Sequence, residues 1–408
     1  MTNKKILVVC QHFWPESFRI NDICDYFTEQ GHDVDVLCGI PNYPKGEFFS
    51  GYSYFKNRKQ THEKIHIRRA FEIPRGNNTN IRIFINYISF PIASLFHIPR
   101  LLTKKYDKIL LYQLSPVMMS ITGILVGRLK KIETTMYVLD LWPENLFSVL
   151  PIKNRLAKKL VTSMSHWHYK KVDKLVVLSN IMKERLVEIP GVEPGKVIVL
   201  PQACEKIYES NLSDPNLIKK FRGGFNLVFA GNISPAQSFE TILDAAEHLQ
   251  NDGIKDIRWI IVGDGMSRKW LEKTVKERDL NNFFFEGHKP VEDVPKYTNI
   301  ADGLIGCLVK SELLEATIPA KVMSYIAAGK PMILAMDGEV QDLINKIIKC
   351  GYASNAGDSE AFYKNVAKLY NTKAEERQAM GQRSKKYHME NFQRNIILNK
   401  LHAFMFNT

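Results

Sequence analysis

Short apolar segments alternate with amphipathic segments along this chain, and the alternation runs twice. In the first half, residues 6–10 and 33–38 are predicted strands, and they flank a predicted helix over residues 21–30 that Gly31 ends. The alternation restarts at residue 225 and continues to residue 335. Strands and helices that alternate at this spacing form parallel, doubly wound sheets. We therefore predict an α/β chain with two Rossmann-like domains.

The length of the chain also indicates two domains, because 408 residues exceed what one compact core usually holds. We expect a first domain over residues 1–203 and a second over residues 204–373, with a hinge near residues 201–224. The last helical stretch, residues 374–408, can cross back onto the first domain. Ligands of doubly wound sheets bind at the carboxyl ends of the strands, so we expect the site in a cleft between two facing domains.

Positive charge is concentrated in the first half. Residues 1–200 hold 29 Lys and Arg against 17 Asp and Glu, a net charge of +12, whereas residues 201–408 hold 27 against 26, a net charge of +1. This asymmetry favours a phosphorylated substrate or anionic lipid headgroups as partners, and no recognised motif supports nucleic acid. The scattered cysteines and the absence of a signal-peptide pattern predict a cytoplasmic protein.

Residues 83–99 form an uncharged segment between Arg82 and Arg100. The segment is short for a membrane span. Aromatic residues beside basic ones are typical of a helix that lies in the membrane interface. A helix packed on its own domain explains the same pattern, so both interpretations stay open. We expect the basic first half, with residues 83–99, to hold the protein peripherally on the cytoplasmic membrane.

A predicted helix near residue 320 has the features of a phosphate site. Pro319 and Lys321 stand where the helix begins, and Gly329 ends it. A helix start attracts phosphate through its free N–H groups and partial positive charge, and Lys321 adds a full charge. An ordinary helix with Lys321 in solvent is the alternative interpretation.

Glycine-rich turns and one acidic turn follow the predicted strands. The glycines stand where a backbone must approach a ligand closely, at Gly231, Gly263 and Gly287, and none of these turns is a GxGxxG dinucleotide fingerprint. Asp140 and Glu144 follow a strand, where a general base or a sugar-hydroxyl acceptor would be useful; a helix cap at Asp140 is the alternative. We expect no metal site, and no GxSxG nucleophile turn occurs.

Taken together, these pieces resemble family 4 of the glycosyltransferases, which has the GT-B fold. The resemblance covers nearly the whole chain, and it is closest to a bacterial surface-polysaccharide branch that includes O-antigen N-acetyl-L-fucosaminyltransferases and colanic-acid transferases. Its motifs are Phe13-Trp-Pro-Glu16, Arg19-Ile-Asn-Asp22, Gly31-His32, Pro41-Asn-Tyr-Pro-Lys-Gly46, Asp140-Leu-Trp-Pro-Glu144, Ala230-Gly-Asn-Ile233 with Ala236-Gln237, Val262-Gly-Asp-Gly265, Pro319-Ala-Lys321 and Ala327-Ala-Gly-Lys-Pro331.

The resemblance implies a retaining transfer from a nucleotide-sugar, without a metal or other cofactor. The donor implied by the branch is a UDP-linked N-acetylated deoxyhexosamine, and the acceptor is a glycan on a polyprenyl diphosphate lipid, in O-antigen or capsule synthesis. The catalytic candidates are Asp140, Glu144 and Lys321. The implied donor-binding residues are Arg19, Gly231, Asn232, Gln237, Gly263, Gly287, His288, Glu315, Thr317, Pro319, Ala320, Lys321 and Ser324.

The chain also departs from the pattern of the wider family. Asn232 and Gln237 stand where that family has Arg and Lys, as is usual for this branch. The paired glutamates of the family would fall at Ala316 and Ser324, with Glu315 one residue from the first. Ser324 therefore leaves room for a catalytically degenerate scaffold as an alternative. A sugar-nucleotide epimerase with the same fold is a further one.

Overall fold

The computed structural model describes residues 3–77, 79–149, 152–204, 206–209 and 212–407. The chain divides into two compact units, of which the first is Met1–Pro201 with Leu398–Thr408 and the second is Gln202–Ile397. Residues 374–397 thus stay in the second unit, and only the last 11 residues of the expected 374–408 stretch join the first. Parts of the expected hinge, residues 205, 210 and 211, lie outside the described residues.

The described part of the first unit contains one sheet of eight strands in the order β3-β4-β2-β1-β5-β6-β7-β8. Neighbouring strands are parallel except for β3 and β4, which form an antiparallel hairpin at the sheet edge. The strands are β1 Lys5–Cys10, β2 Asp33–Cys38, β3 Lys59–His62, β4 Ile65–Arg69, β5 Lys108–Gln113, β6 Thr134–Val138, β7 Lys174–Val177 and β8 Val197–Val199.

The parallel core of this sheet was predicted and the hairpin was not. Strand β1 is apolar and buried from Ile6 to Cys10, as expected for a strand covered on both faces. The hairpin strands KQTH and IHIRR are short and polar, so they lack the continuous apolar run that marks a central strand. The predicted parallel sheet therefore carries an additional antiparallel pair at this edge.

The helices of the first unit pack on both faces of its sheet. They are α1 Arg19–Glu29, α2 Asn80–Leu95, α3 Ile98–Thr103, α4 Ile121–Lys130, α5 Glu144–Val149, α6 Arg155–Lys171 and α7 Asn180–Val187. The chain after β5 first forms a 3-10 turn, Val117–Ser120, and continues directly as α4.

Helix α2 has two different faces, and these explain the ambiguity of residues 83–99. Asn86, Phe90 and Ser94 recur every four residues and are fully buried, and the Ser94 hydroxyl lies 2.6 Å from that of Thr122 on α4. Opposite them, an exposed stripe consists of Ile81, Ile85, Ile92 and Phe96, which are 72%, 37%, 53% and 82% exposed. The helix therefore packs on its own unit by one face and leaves an apolar face uncovered among the described residues of that unit.

The described part of the second unit contains a sheet of six parallel strands in the order β11-β10-β9-β12-β13-β14. These strands are β9 Phe225–Ala230, β10 Ile257–Val262, β11 Phe283–Gly287, β12 Gly303–Cys307, β13 Met332–Ala335 and β14 Gly351–Ser354. The order reverses between β9 and β12, where doubly wound sheets bind ligands at the carboxyl ends of their strands.

Helices and turns cover both faces of the second sheet around a core that includes Phe229, Trp259 and Ile305. The helices are α8 Pro215–Lys220, α9 Phe239–Asn251, α10 Arg268–Glu277, α11 Val294–Asn299, α12 Glu312–Glu315, α13 Ala320–Ala328, α14 Glu339–Asp342, α15 Ser359–Tyr370 and α16 Ala374–Tyr387. Helix α17, Arg394–Phe406, begins in the second unit, and from Leu398 onward it belongs to the first. Both sheets confirm the predicted α/β class with two Rossmann-like domains.

Candidate functional site

Three glycine-bearing loops lie side by side at the carboxyl ends of β9, β10 and β11. The Gly231 N–H donates to the Val262 carbonyl at 2.9 Å, and the Gly263 N–H donates to the Gly287 carbonyl at 2.9 Å. The Ile233 N–H donates to the Asp264 carbonyl, also at 2.9 Å. The parallel register of β9 with β10, which pairs Ala230 with Val262, produces this alignment. Three of the predicted donor-binding glycines thus meet at one edge.

Two of these loops pack so closely that only glycine fits between them. Gly263 has φ +144°, and a Cβ atom there would lie 1.9 Å from the Gly231 carbonyl oxygen. Gly265 has φ +158°, and its Cβ would lie 2.4 Å from the Asn232 side-chain oxygen. Side chains rarely adopt such φ values, and contacts this short require the backbone to move. The two glycines of the Val262-Gly-Asp-Gly265 motif therefore allow the two loops to contact each other.

Lys321 reaches into this edge from the first turn of α13. Its Nζ atom lies 4.0 Å from the centre of the Phe229 ring and donates a hydrogen bond to the side-chain oxygen of Gln237. A Cβ atom on Gly231 would lie 3.4 Å from the same nitrogen. The structure thus brings Lys321, Gln237 and Gly231 together, and it does not place Lys321 in solvent.

The protonation of Lys321 is finely balanced. Burial lowers the pKa of its ammonium to about 7, and the neighbouring Cys307 thiol offsets part of that effect. A lysine with such a pKa gains its charge readily when an anion approaches, because the opposite charge favours the protonated form. This is the chemistry that a phosphate-binding lysine at a helix start requires.

Tyr325 anchors the helix that carries Lys321, and sequence reasoning missed it. One helical turn beyond Lys321, its hydroxyl accepts from the Ala230 N–H at 2.8 Å and donates to the Ile305 carbonyl at 3.2 Å. The bonds join α13 to the end of β9 and to the middle of β12, the two strands at the order reversal. Tyr325 is buried and lies on the apolar face of its helix. In the sequence it therefore cannot be distinguished from an ordinary core residue.

The remaining donor-binding candidates of the second unit lie around the start of α13. Pro319 caps the helix with φ −59° and ψ 140°, and Ala320 is its first residue. Glu315 ends α12, and the Thr317 N–H donates to the Leu314 carbonyl at 3.2 Å. Ser324 is buried, and its hydroxyl lies 3.4 Å from the Ala320 carbonyl of its own helix. His288 is exposed, directly after Gly287.

The candidates Arg19, Asp140 and Glu144 belong to the first unit. Arg19 begins α1 and is half-buried. The Asp140 carboxylate accepts from the Ser115 N–H and hydroxyl, both at 2.8 Å, and its burial raises its pKa. Glu144 is exposed at the start of α5. Asp140 therefore bonds to the loop after β5, and a side-chain hydrogen bond with Asn145 on α5 opposes the rise in its pKa.

A second cluster at the carboxyl ends of β1, β2 and β4 explains two of the sequence motifs. Glu16 accepts the Asn42 and Tyr43 N–H groups at 2.8 and 2.7 Å, which ties the loop after β1 to the loop after β2. The His12 ring nitrogen Nδ1 lies 3.1 Å from the other Glu16 oxygen. The motifs that contain Glu16 and Asn42 are thus the two halves of one buried contact.

Arg75 is the cation of this edge, and it was not predicted. Its Nε donates to the Asn86 side-chain oxygen at 3.3 Å, and its guanidinium lies 5.5 Å from the ring centres of both Tyr43 and Tyr87. The positive charge of Arg75 opposes the rise in the pKa of Asp140. Arg75 follows strand β4, which was not predicted. The sequence therefore did not indicate that Arg75 lies near the carboxyl end of a strand.

An apolar groove of about 310 Å³ adjoins this polar edge. It lies between α2 and α6, and its floor includes Trp142, whose indole N–H donates to the Ser115 hydroxyl at 2.9 Å. Ser115 in turn binds Asp140. The groove is lined by Phe84, Tyr87, Ile88, Met118, Trp142, Leu146, Leu160, Val161 and Met164. An amphiphilic ligand could therefore place an apolar chain in the groove and a charged group beside Arg75.

The described residues offer neither a metal site nor a membrane-spanning helix. Across the described residues, no group of three or more His, Cys, Asp and Glu side chains is arranged to hold a metal ion. No helix within the described ranges has both the length and the apolar character needed to cross a bilayer.

Sequence comparison agrees with this geometry. Residues 216–387 match the family model described as Glycosyl transferases group 1. A protein of Escherichia coli (strain K12) named for glycosyl transfer in colanic acid biosynthesis, WcaI, is 23% identical over 348 residues, which cover 82% of this chain and 83% of that protein. The 2-deoxystreptamine glucosyltransferase of Streptomyces kanamyceticus is 24% identical over 201 residues, covering 48% of this chain and 50% of that protein.

Solved structures match this chain along its length. HepE of Anabaena, determined with UDP and glucose, matches with a TM-score of 0.70 at 13% identity over 100% of both chains. WaaG, a glycosyltransferase involved in lipopolysaccharide biosynthesis, matches with a TM-score of 0.69 at 14% identity, over 99% of this chain and 100% of WaaG. The chain is thus a glycosyltransferase enzyme with the GT-B fold, and its residues 216–387 match the group 1 glycosyl transferase model.

Proposed function

We propose that this enzyme transfers a sugar from a UDP-sugar to a lipid-linked glycan during the synthesis of a bacterial surface polysaccharide. The second unit would bind the donor and the first unit the acceptor. The observation that carries the donor half is the meeting of Lys321, Gln237 and Gly231 beside the start of α13. The likeness to WcaI, which is named for colanic acid biosynthesis, supports the class of product.

In this proposal the donor diphosphate lies at the shared edge of the three loops. Lys321 and the first N–H groups of α13 would receive the phosphate oxygens, and the Gly231 backbone allows their close approach. Negative charge builds on the diphosphate as the bond from sugar to phosphate breaks, so a protonated Lys321 lowers the barrier. A retaining, metal-independent transfer is consistent with a leaving group stabilised by a lysine and a helix start.

The acceptor half of the proposal rests on the apolar groove and its polar end. A polyprenyl diphosphate is an apolar chain with a charged head, and the groove leads from Leu160 and Phe84 to Trp142 and Ser115. The Arg75 guanidinium would meet the diphosphate, while Asp140 would accept a hydrogen bond from the acceptor sugar. The exposed stripe of α2 would rest on the membrane that holds the lipid.

The sugar itself is proposed on resemblance. The bacterial branch that the motifs resemble suggests an N-acetylated deoxyhexosamine. The Ser324 hydroxyl is bonded within α13, so we propose that the ribose is held by another group, for which Glu315 beside α13 is the candidate.

Transfer from UDP-sugars to a synthetic polyprenyl-diphosphate glycan, followed by mass spectrometry, tests the proposal. The groove offers a matched pair: Leu160 lines it and is 64% exposed, and Leu129 lies outside it and is 65% exposed. We expect L160Q to raise the KM for the lipid acceptor several-fold and L129Q to leave it unchanged. Transfer to soluble glycans but not to the lipid-linked glycan would contradict the acceptor assignment. Equal changes in the KM for the lipid acceptor in L160Q and L129Q would also contradict it.

A further inference from the structure

A second cavity of the first unit, of about 400 Å³, has four Lys and Arg side chains and a single carboxylate in its lining. It opens over the middle of strands β1, β2 and β4, beneath α3, and not at the strand ends where Glu16 and Arg75 lie. Its charged and titratable lining comprises Asp35, Lys59, His66, Arg68, His97, Arg100, Lys104 and Tyr106. The site is therefore distinct from the proposed donor and acceptor sites.

The acidic residue of this cavity is already neutralised. The Asp35 carboxylate accepts from the Lys104 ammonium at 2.6 Å and from the Tyr106 hydroxyl at 2.8 Å. Lys5 adds a longer ion pair with it, at 3.9 Å. The two lysines thus compensate most of the negative charge of Asp35. The Asp35 carboxylate therefore contributes little to neutralising the arginines that line the same cavity.

Arg68 and Arg100 are those arginines, and among the described residues neither guanidinium forms an ion pair or a hydrogen bond. Burial lowers the pKa of Arg68, and repulsion from Arg100 and Arg58 lowers it further. Like charges that face one another in a partly buried cavity are unfavourable unless an anion joins them.

His97 supplies neutral polar atoms to the same cavity. Burial lowers its pKa to about 4, and Arg68, Arg58 and Arg100 lower it in the same direction. At neutral pH the imidazole is therefore uncharged and offers one N–H donor and one acceptor nitrogen. Two guanidinium groups and an imidazole N–H are a donor set typical of phosphate recognition.

The same segment of chain presents an apolar surface. Phe96, directly before His97, is 82% exposed, and Ile92, one turn earlier on α2, is 53% exposed. Aromatic and aliphatic side chains beside a cationic site are typical of segments that lie in the membrane interface, where they enter the acyl boundary while basic groups meet the headgroups. A free phosphate or sugar phosphate would have no use for these apolar side chains.

We propose that the cavity between Arg68, His97 and Arg100 binds the phosphate of an anionic phospholipid headgroup, with Phe96 and Ile92 inserted into the adjoining acyl layer. This docking site gives the interaction with the membrane a specific geometry, which diffuse charge does not. It does not depend on the donor or acceptor, because neither Arg68 nor Arg100 belongs to the donor or acceptor residues.

Vesicle flotation of the full-length protein tests the inference. Vesicles of phosphatidylcholine alone are compared with vesicles that contain 30% phosphatidylglycerol, for the wild type and for the double variant R68Q/R100Q. We expect the double variant to bind the anionic vesicles about 30-fold more weakly, the loss typical of two basic residues at an anionic surface. Its melting temperature should equal or exceed that of the wild type, because the substitution removes repulsion and no hydrogen bond.

The matched control is K56Q/K64Q, which removes two exposed charges of the same unit outside the cavity. Retained vesicle binding by this control would support a specific site. Equal loss of vesicle binding in both double variants would show that the protein binds through its overall positive charge, and it would overturn the proposed site. Equal vesicle binding by all proteins, with inorganic phosphate raising the melting temperature of the wild type only, would assign the cavity to a soluble anion. Transfer to a detergent-solubilised acceptor should be unchanged in R68Q/R100Q, so failure of the docking site and failure of the proposed function are distinguishable.

Discussion

The Nζ atom of Lys321 lies 4.0 Å from the centre of the Phe229 ring and donates to the side-chain oxygen of Gln237. Neither neighbour carries a formal negative charge, so neither removes the desolvation that lowers the pKa of Lys321 to about 7. An anion bound at this edge would supply the missing charge. The protonation of Lys321 and the binding of a diphosphate are therefore expected to be coupled.

We expect the affinity for UDP to fall as the pH rises from 7 to 9. The unliganded protein loses the Lys321 proton above a pH of about 7, whereas the bound diphosphate favours the protonated ammonium, so binding takes up a proton in this range. The association constant should fall by up to about tenfold per pH unit. Isothermal titration calorimetry in two buffers with different ionisation enthalpies measures both the affinity and the proton uptake.

The control for this experiment is K321R. A guanidinium stays charged across the same range, so the affinity of the variant for UDP should change little between pH 7 and 9. Equal slopes in the wild type and in K321R would show that another group titrates.

Substitution of Gly263 should disrupt the donor edge. In G263A the new Cβ would lie 1.9 Å from the Gly231 carbonyl oxygen, so the two loops must separate. We expect UDP binding to be lost and the melting temperature of the protein to fall by several degrees. Gly253 is the matched control, because it also has a positive φ, +83°, with no atom within 4 Å of a new Cβ.

G253A therefore isolates the cost of the backbone conformation, about 1–2 kcal/mol, from that of the steric overlap. It should lower the melting temperature slightly and leave UDP binding intact. Loss of UDP binding in both variants would contradict the argument that loop contact shapes the site.

Tyr325 should influence donor binding through Lys321. Y325F removes the acceptor of the Ala230 N–H and leaves that group buried, which costs about 1–3 kcal/mol of stability. Because the same bond holds α13 on β9, we also expect the KM for the nucleotide-sugar to rise by several-fold with kcat less affected. Steady-state kinetics and thermal unfolding measure the two effects.

Tyr137 provides the comparison, because its buried hydroxyl donates to the Leu200 carbonyl at 2.8 Å in the first unit. Y137F should lower stability to a similar degree without changing the KM for the donor. Similar KM changes in both variants would mean that Tyr325 acts through general stability.

The contact of helix α17 with the first unit should be sensitive to acid. The His32 and His402 Nε2 atoms lie 2.8 Å apart, and the Lys4 N–H donates to His32 Nδ1 at 3.2 Å. His32 therefore carries its proton on Nε2 and donates to His402, which requires both rings to be neutral. Burial lowers the pKa of each ring, and their mutual repulsion lowers that of His32 further.

A histidine with a lowered pKa in the folded state contributes stability above the unfolded pKa of about 6.5, and this contribution is lost as the pH falls below that value. We expect amide hydrogen exchange in residues 398–406, corrected for the intrinsic rate, to accelerate between pH 7 and 5.5. Exchange in α16 should not accelerate. In H32Q/H402Q the acceleration should be absent, and its persistence there would exclude the histidine pair.

Several elements were predictable because their signals are local. The strand Asp33–Cys38 and the helix Ala320–Ala328 occur with the bounds expected, since an apolar run or a proline start and glycine end depends on neighbouring residues alone. Gly231, Gly263 and Gly287 were placed after strands for the same reason. The roles of these residues in donor binding remain predictions.

Other features were not predictable because they depend on distant partners. Strands β3 and β4 are polar and short, and their pairing at the edge arises from the register of β4 with β2. Arg75 becomes a site candidate through the rings of Tyr43 and Tyr87, which come from two different segments. No periodicity in the sequence encodes such meetings.

Local sequence patterns were sufficient to predict the α/β class, the repeated strand–helix order and the turns that contain glycine and proline, because backbone preferences and apolar periodicity act over a few residues. Three-dimensional packing was needed to show that Lys321 faces Gln237 and Phe229, that Tyr325 anchors its helix, and that Arg68, His97 and Arg100 line one cavity. Those relationships depend on burial and on distances between strands remote in the chain, which set pKa values and charge balance in three dimensions.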